Sequence, residues 1–135
     1  MELTLFYVSG ENHPIIGQVY YTRQKFKGGN EVVRYQRYLA NILTFIAQSS
    51  ADCDRILSQI EKVEIGRENR IEVEGNDVEV ELLKTGIQVD ITVNDDWTDQ
   101  PEGRFSLAEF KAVIIAWRQF LQLPESLDSK ITIEL

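Results

Sequence analysis

Apolar residues along the chain follow two different rhythms, and the change between them marks out the elements. From Arg70 to Val93 they recur at every second position: Ile71 and Val73, then Val78, Val80 and Leu82, then Ile87, Val89, Ile91 and Val93. Alternation of this kind describes strands with one buried and one wet face. Gly75-Asn76 and Thr85-Gly86 interrupt it as two-residue turns, which predicts a three-stranded antiparallel meander over 70–93. Elsewhere the period is helical. Tyr35, Tyr38, Leu39, Ile42, Phe45 and Ile46 predict a helix over 31–48. Cys53, Ile56, Leu57, Ile60 and Val63 predict a second over 51–64, capped by Ser49 or Ser50 and stopped at Gly66. The short connection between them suggests two antiparallel helices lying side by side.

A third helix, over 106–122, has the strongest local signals. Ser106 and Glu109 form an S-x-x-E capping box, Phe105 and Phe110 stand where a hydrophobic staple belongs, and Pro124 marks the end. Glu2–Val8 is rich in strand formers, and Lys130–Leu135 alternates as an edge strand. Residues 10–30, punctuated by Pro14, Gly17 and Gly28-Gly29, read as a loop with one short strand at Gln18–Thr22. The expected fold is α+β. The meander, with the terminal strands, carries helices on its apolar face, and Phe45, Leu57, Val80, Ile91, Phe110, Ile114 and Trp117 lie in the core. A chain of 135 residues suits one domain over 1–135.

The turns also set which polar residues meet. With two-residue loops, Glu72 faces Glu79, Glu74 faces Asp77, Arg70 faces Glu81, Val80 faces Ile91 and Glu81 faces Asp90. The polar face then carries Glu72, Glu74, Asp77, Glu79, Glu81 and Asp90, and the acidic loop that follows adds Asp95, Asp96 and Asp99. Like charges directly opposite one another on a sheet are destabilising, so a face built this way is either a solvated surface or a recognition surface for a basic partner. Metal binding fits poorly, because no His accompanies these carboxylates and the loop lacks the glycine and glutamate positions of a calcium loop.

Charge sharpens the picture. Against 14 Lys and Arg stand 22 Asp and Glu, a formal net charge of −8. Residues 1–48 hold five basic and three acidic side chains, and the remainder nine and nineteen, so the acidic pole lies toward the meander. This balance argues against direct binding of free nucleic acid. Even so, Tyr20, Tyr21, Arg23, Lys25, Phe26 and Lys27, then Arg34, Tyr35, Arg37 and Tyr38, interleave bases with aromatics. Lys27-Gly28-Gly29-Asn30 lacks the phosphate-loop pattern and reads as a plain loop. One cysteine forms no internal disulfide, which favours a reducing cytoplasm, and neither a signal peptide nor a membrane span is apparent. Cys53 and His13 are the only possible thiol–imidazole pair, yet Cys53 sits on an apolar stripe and reads as a small core residue. No metal, cofactor or catalytic motif is evident, and a non-enzymatic role is expected.

The acidic meander followed by the helix F-S-L-A-E-F…A-W-R-Q-F-L, Phe105 to Leu121, resembles immunity proteins of bacterial polymorphic-toxin and contact-dependent growth inhibition systems. The resemblance spans roughly residues 70–123. It implies a non-enzymatic inhibitor that binds one cognate protein toxin, often a nuclease, and blocks its active site. The competing expectation is an assembly module that makes contact through an apolar patch around Trp97 or Phe26, with a small carboxylate-dependent enzyme ranked below both.

Overall fold

The computed structural model describes residues 1–135 and has an α+β fold with two antiparallel sheets. Strands β1 (Glu2–His13) and β2 (Gly17–Lys27) form a long hairpin, and β7 (Lys130–Glu134) pairs with the other edge of β1, giving the order β2-β1-β7. Strands β3 (Arg70–Glu74), β4 (Val78–Leu83), β5 (Gly86–Ile91) and the two-residue β6 (Arg104–Phe105) form the second sheet in that order. The terminal strands therefore build a sheet of their own and do not extend the meander.

The segment expected to be mostly loop, residues 10–30, is largely strand: it holds the end of β1 and all of β2. Its inward positions Tyr20, Thr22 and Gln24 are half-buried, so the polar Thr and Gln mask the alternation. A bulge interrupts the hairpin between Ser9 and Asn12, where Gly10 lets the Tyr21 ring lie against the backbone. At the outer edge of β2 the Gln36 side chain accepts from the Phe26 N–H at 3.2 Å and donates to the Gln24 carbonyl at 2.9 Å, as a neighbouring strand would.

The first helical stretch begins as α1 (Val32–Arg34), widens into a π turn over Tyr35–Leu39, and resumes as α2 (Ala40–Phe45). The π turn inserts one extra residue and rotates everything after it. The buried set beyond it becomes Ile42, Leu43, Ile46 and Ala47, and Phe45, expected in the core, is 40% exposed. Helix α3 (Ser50–Glu64) is capped by Ser49, whose hydroxyl accepts from the Asp52 N–H at 3.1 Å. It ends in a Schellman motif: the Gly66 and Arg67 N–H groups donate to the carbonyls of Val63 and Lys62, and Gly66 takes φ +75°. Its helix neighbour is α4 (Leu107–Leu121) rather than the preceding helix. The pairs Lys111–Glu64 and Arg118–Asp54 set α3 and α4 antiparallel.

Helix α4 starts as its sequence predicts, with the Ser106 hydroxyl accepting from the Glu109 N–H at 3.0 Å, a cap that contributes about 1 kcal/mol. It packs on β5 and also on β1 and β7, so both sheets bury their inner faces against one shared core. Val80, Ile91, Phe110, Ile114 and Trp117 are buried there as expected, and Leu57 packs half-buried at its margin.

Both turns of the meander are displaced by one residue from where the sequence suggests, the first forward along the chain and the second back. The Gly75 N–H donates to the Val78 carbonyl, and Asp77 adopts φ +63°, so the loop is Asn76-Asp77. Gly75 serves a different need: a Cβ there would stand 2.8 Å from the Phe45 carbonyl oxygen and 2.6 Å from Ile46. Leu83 likewise pairs with Gly86 across Lys84-Thr85, and a Cβ on Gly86 would meet the Phe105 carbonyl oxygen at 2.7 Å. Each register consequently moves by two, which preserves the inside and outside faces. The meander ends at Ile91, and Val93, expected in it, is 68% exposed.

Candidate functional site

The alternation that buries Val73, Val80, Val89 and Ile91 forces their neighbours outward, and the outward face is acidic. The shifted registers change the partners. Glu72 pairs with Glu81 and Glu74 with Glu79, where the sequence suggested Glu72–Glu79 and Glu74–Asp77. Glu79 also meets Asp90 on its other side, and Glu81 meets Gln88 instead of Asp90; Val80 opposes Val89, not Ile91. Three like-charge oppositions result, with Glu79 shared by two of them. Arg70, across from Leu83, reaches diagonally to form ion pairs with Glu72 and, at 3.1 Å, with Glu81. The hydrogen bond to Glu81, followed by the charges of Glu72 and Glu81, raises the pKa of Arg70 above its ordinary value. Glu74, Glu79 and Asp90 have no paired cation.

Five of the nine residues singled out by sequence, Glu72, Glu74, Glu79, Glu81 and Asp90, line one shallow pit of 30 Å³. Asp99, with φ +54°, is tied to it through its backbone: its N–H donates to the Asp90 carboxylate at 2.8 Å. Asp77 belongs to the β3–β4 turn. Asp95 and Asp96 are exposed on a 3-10 turn capped by Asn94, outside the pit. Sequence reasoning missed the adjoining groove of 370 Å³, which shares Glu81 with the pit and adds Gln88, Asp99 and Arg104. There the Arg104 guanidinium donates to the Gln88 side-chain oxygen at 2.9 Å. It depends on β6, a strand too short to leave a periodic signal.

Compared with protein-family models, curated proteins and solved structures, the chain matches none.

The remaining candidates separate. No group of three or more His, Cys, Asp or Glu side chains is placed to hold a metal ion, and no helix is long and apolar enough to cross a membrane. Phe26 is buried, which removes it from the apolar patch proposed on sequence. Trp97 stays half-exposed, with the Arg37 guanidinium 4.6 Å from its ring centre. At the end of β1, His13 is exposed and its Nδ1 accepts from the Ile15 N–H of the turn at 3.1 Å, whereas Cys53 is fully buried in α3. The two do not form a thiol–imidazole pair.

Burial first, and then the charges of Asp52 and Asp54, push the Cys53 thiol up from 9.0 to about 11. Tyr35 moves the same way, to about 12, through burial and then the neighbouring Glu109 carboxylate. Both groups fold in their protonated forms with raised pKa values. Their contribution is therefore complete below the unfolded-state values and is lost as pH rises through the folded ones. Stability is expected to fall from about pH 9 upward, by at most about 1.4 kcal/mol per pH unit for each group. Urea denaturation at a series of alkaline pH values measures this, and Cys53→Ala should flatten the portion below about pH 11. An unchanged slope would exclude the thiol as its source.

Proposed function

We propose that this protein is a non-enzymatic, immunity-type inhibitor. In this reading it acts in the bacterial cytoplasm and neutralises a basic, nuclease-like toxin by presenting the acidic face of β3–β5 to it. The observation that carries the reading is the row Glu74–Glu79–Asp90, three carboxylates abreast on adjacent strands without a paired cation. Each opposition costs a few tenths of a kcal/mol to about 1 kcal/mol, a cost that alternating signs would have avoided. A basic partner would relieve it on binding, and Arg70 leaves the row itself open. Carboxylates arrayed in this way stand in for the phosphates that a nuclease surface is built to attract, so association should be fast and salt-sensitive.

The experiment begins with a pull-down from the native cell to obtain the partner, followed by stopped-flow association. Glu72→Gln/Glu74→Gln/Glu79→Gln removes charge while nearly keeping shape, so folding stability should hold or rise slightly. The association rate at low salt should drop by about tenfold or more, and the wild-type rate should fall steeply with added salt. A triple variant that associates at the wild-type rate at every salt concentration would reduce the face to a solubility device. If Trp97→Ala then abolished binding, the assembly-module reading would take its place.

A further inference from the structure

The outward face of the first sheet has the opposite character. Pairing of β2 with β1 turns Phe26 inward and leaves Arg23, Lys25 and Lys27 exposed on one side, at every second residue. β7 adds Lys130 from the far edge. The registers assemble three rows across the sheet: Arg23–Phe6–Lys130, Lys25–Thr4–Thr132 and Lys27–Glu2–Glu134. None of the four cations is in an ion pair, although the chain carries a net charge of −8. Glu134 is engaged by the N-terminal ammonium at 3.5 Å, leaving Glu2 as the carboxylate among them. Glu2, Thr4, Phe6, Lys25, Lys27 and Lys130, walled by the exposed Leu127, line a groove of 380 Å³, in which three cations outnumber the one carboxylate. Just beyond it, Tyr21 is exposed, with the Arg23 guanidinium 6.0 Å from its ring centre.

We propose that this groove binds a short stretch of single-stranded nucleic acid, with phosphates on Lys25, Lys27 and Lys130 and a base against Phe6. Net charge argued against such a partner, but electrostatic attraction acts through the local surface, and the carboxylates of the meander lie on the other sheet. Cations at every second strand residue stand roughly 6.6 Å apart, a track for a charged backbone. The aromatic ring between Arg23 and Lys130 decides the class. An acidic peptide would use the same lysines yet gain nothing from the half-buried Phe6 ring at the groove, whereas every base has a face to stack. The Thr4 hydroxyl in the groove is paired with that of Thr132 at 3.3 Å, so binding should be indifferent to sequence. The site belongs to a different sheet from the acidic face and stands or falls independently of it.

Fluorescence anisotropy of a short labelled oligothymidylate tests this, with circular dichroism confirming that each variant is folded. Wild-type protein should bind at low salt. Contact with three phosphates predicts affinity falling about hundredfold between about 20 mM and about 200 mM NaCl. Lys25→Glu/Lys27→Glu should weaken binding at least about tenfold. Phe6→Leu should weaken it several-fold with the salt slope unchanged. Absence of binding at about 20 mM NaCl, or wild-type affinity in the charge-reversed variant, overturns the proposal. So does displacement by oligoglutamate as readily as by unlabelled oligothymidylate, which would assign the face to an acidic protein. An unaltered affinity in Phe6→Leu would remove the reason for preferring nucleic acid.

Discussion

Trp117→Ala is expected to lower the free energy of unfolding by about 3–5 kcal/mol, a large share of the roughly 5–15 kcal/mol that holds a domain folded. Trp117 is buried on α4, stacks on Phe120 with ring centres 5.6 Å apart, and Phe120 in turn lies 4.7 Å from Tyr7 of β1. One aromatic chain thus joins the final helix to the first strand. The indole N–H also donates to the Ala47 carbonyl at 2.6 Å, satisfying a buried acceptor beyond the end of α2. Trp117→Phe separates the two contributions: it keeps a ring and removes the donor, and should cost about 1–3 kcal/mol. Urea denaturation of both variants measures the difference. If phenylalanine proves as damaging as alanine, the hydrogen bond outweighs the packing.

Gly103→Ala should be the most disruptive single-methyl change, costing about 2–3 kcal/mol by overpacking. Gly103 is buried where the acidic loop returns to the sheet. A Cβ there would intrude on the Val89 carbonyl oxygen and stand 3.1 Å from Gln88 Nε2 and 3.4 Å from the Tyr38 ring. The Val89 carbonyl belongs to the backbone of β5 and has little freedom to give way, so the loop must lift. Lifting it strains the Gln88–Gln100 contact at 2.9 Å and the Asp99–Asp90 bond, and the damage should reach the acidic pit. Denaturation and amide exchange at Asp99 report on the two effects. Full stability with undisturbed exchange would show that the loop absorbs the methyl group elsewhere.

What was legible in the sequence, and what was not, follows from which constraint each residue answers. The faces of β3, β4 and β5 were readable because Val and Glu alternate without exception from Val78 to Glu81. Turn positions were misread because Gly75 looks like a turn glycine, whereas its missing side chain admits the end of α2 and Asp77 takes the left-handed conformation. Parity survived since both shifts were by two, so Glu72, Glu74, Glu79, Glu81 and Asp90 share the outward face even though their opposing pairs differ from those expected. Phe45 failed for another reason: no pattern of side chains announces a π turn, and one inserted residue rotates an apolar stripe. The basic groove was hidden by distance along the chain, because Lys25 and Lys130 meet only when β1 stands between β2 and β7. The acidic pit needed only neighbouring strands.

The contact of Gln36 with β2 has a consequence for how the protein behaves when concentrated. A sheet that ends in an unmated strand offers a template on which identical molecules polymerise, each adding its own strand to the last. Here a single carboxamide occupies both the donor and the acceptor at the Gln24–Phe26 step. Beside that step Lys25 and Lys27 place like charges where an incoming copy of β2 would bring its own. One end of the outer strand of this long, extended and partly uncovered hairpin is thus closed by the molecule's own side chain, which should disfavour stacking of copies edge to edge.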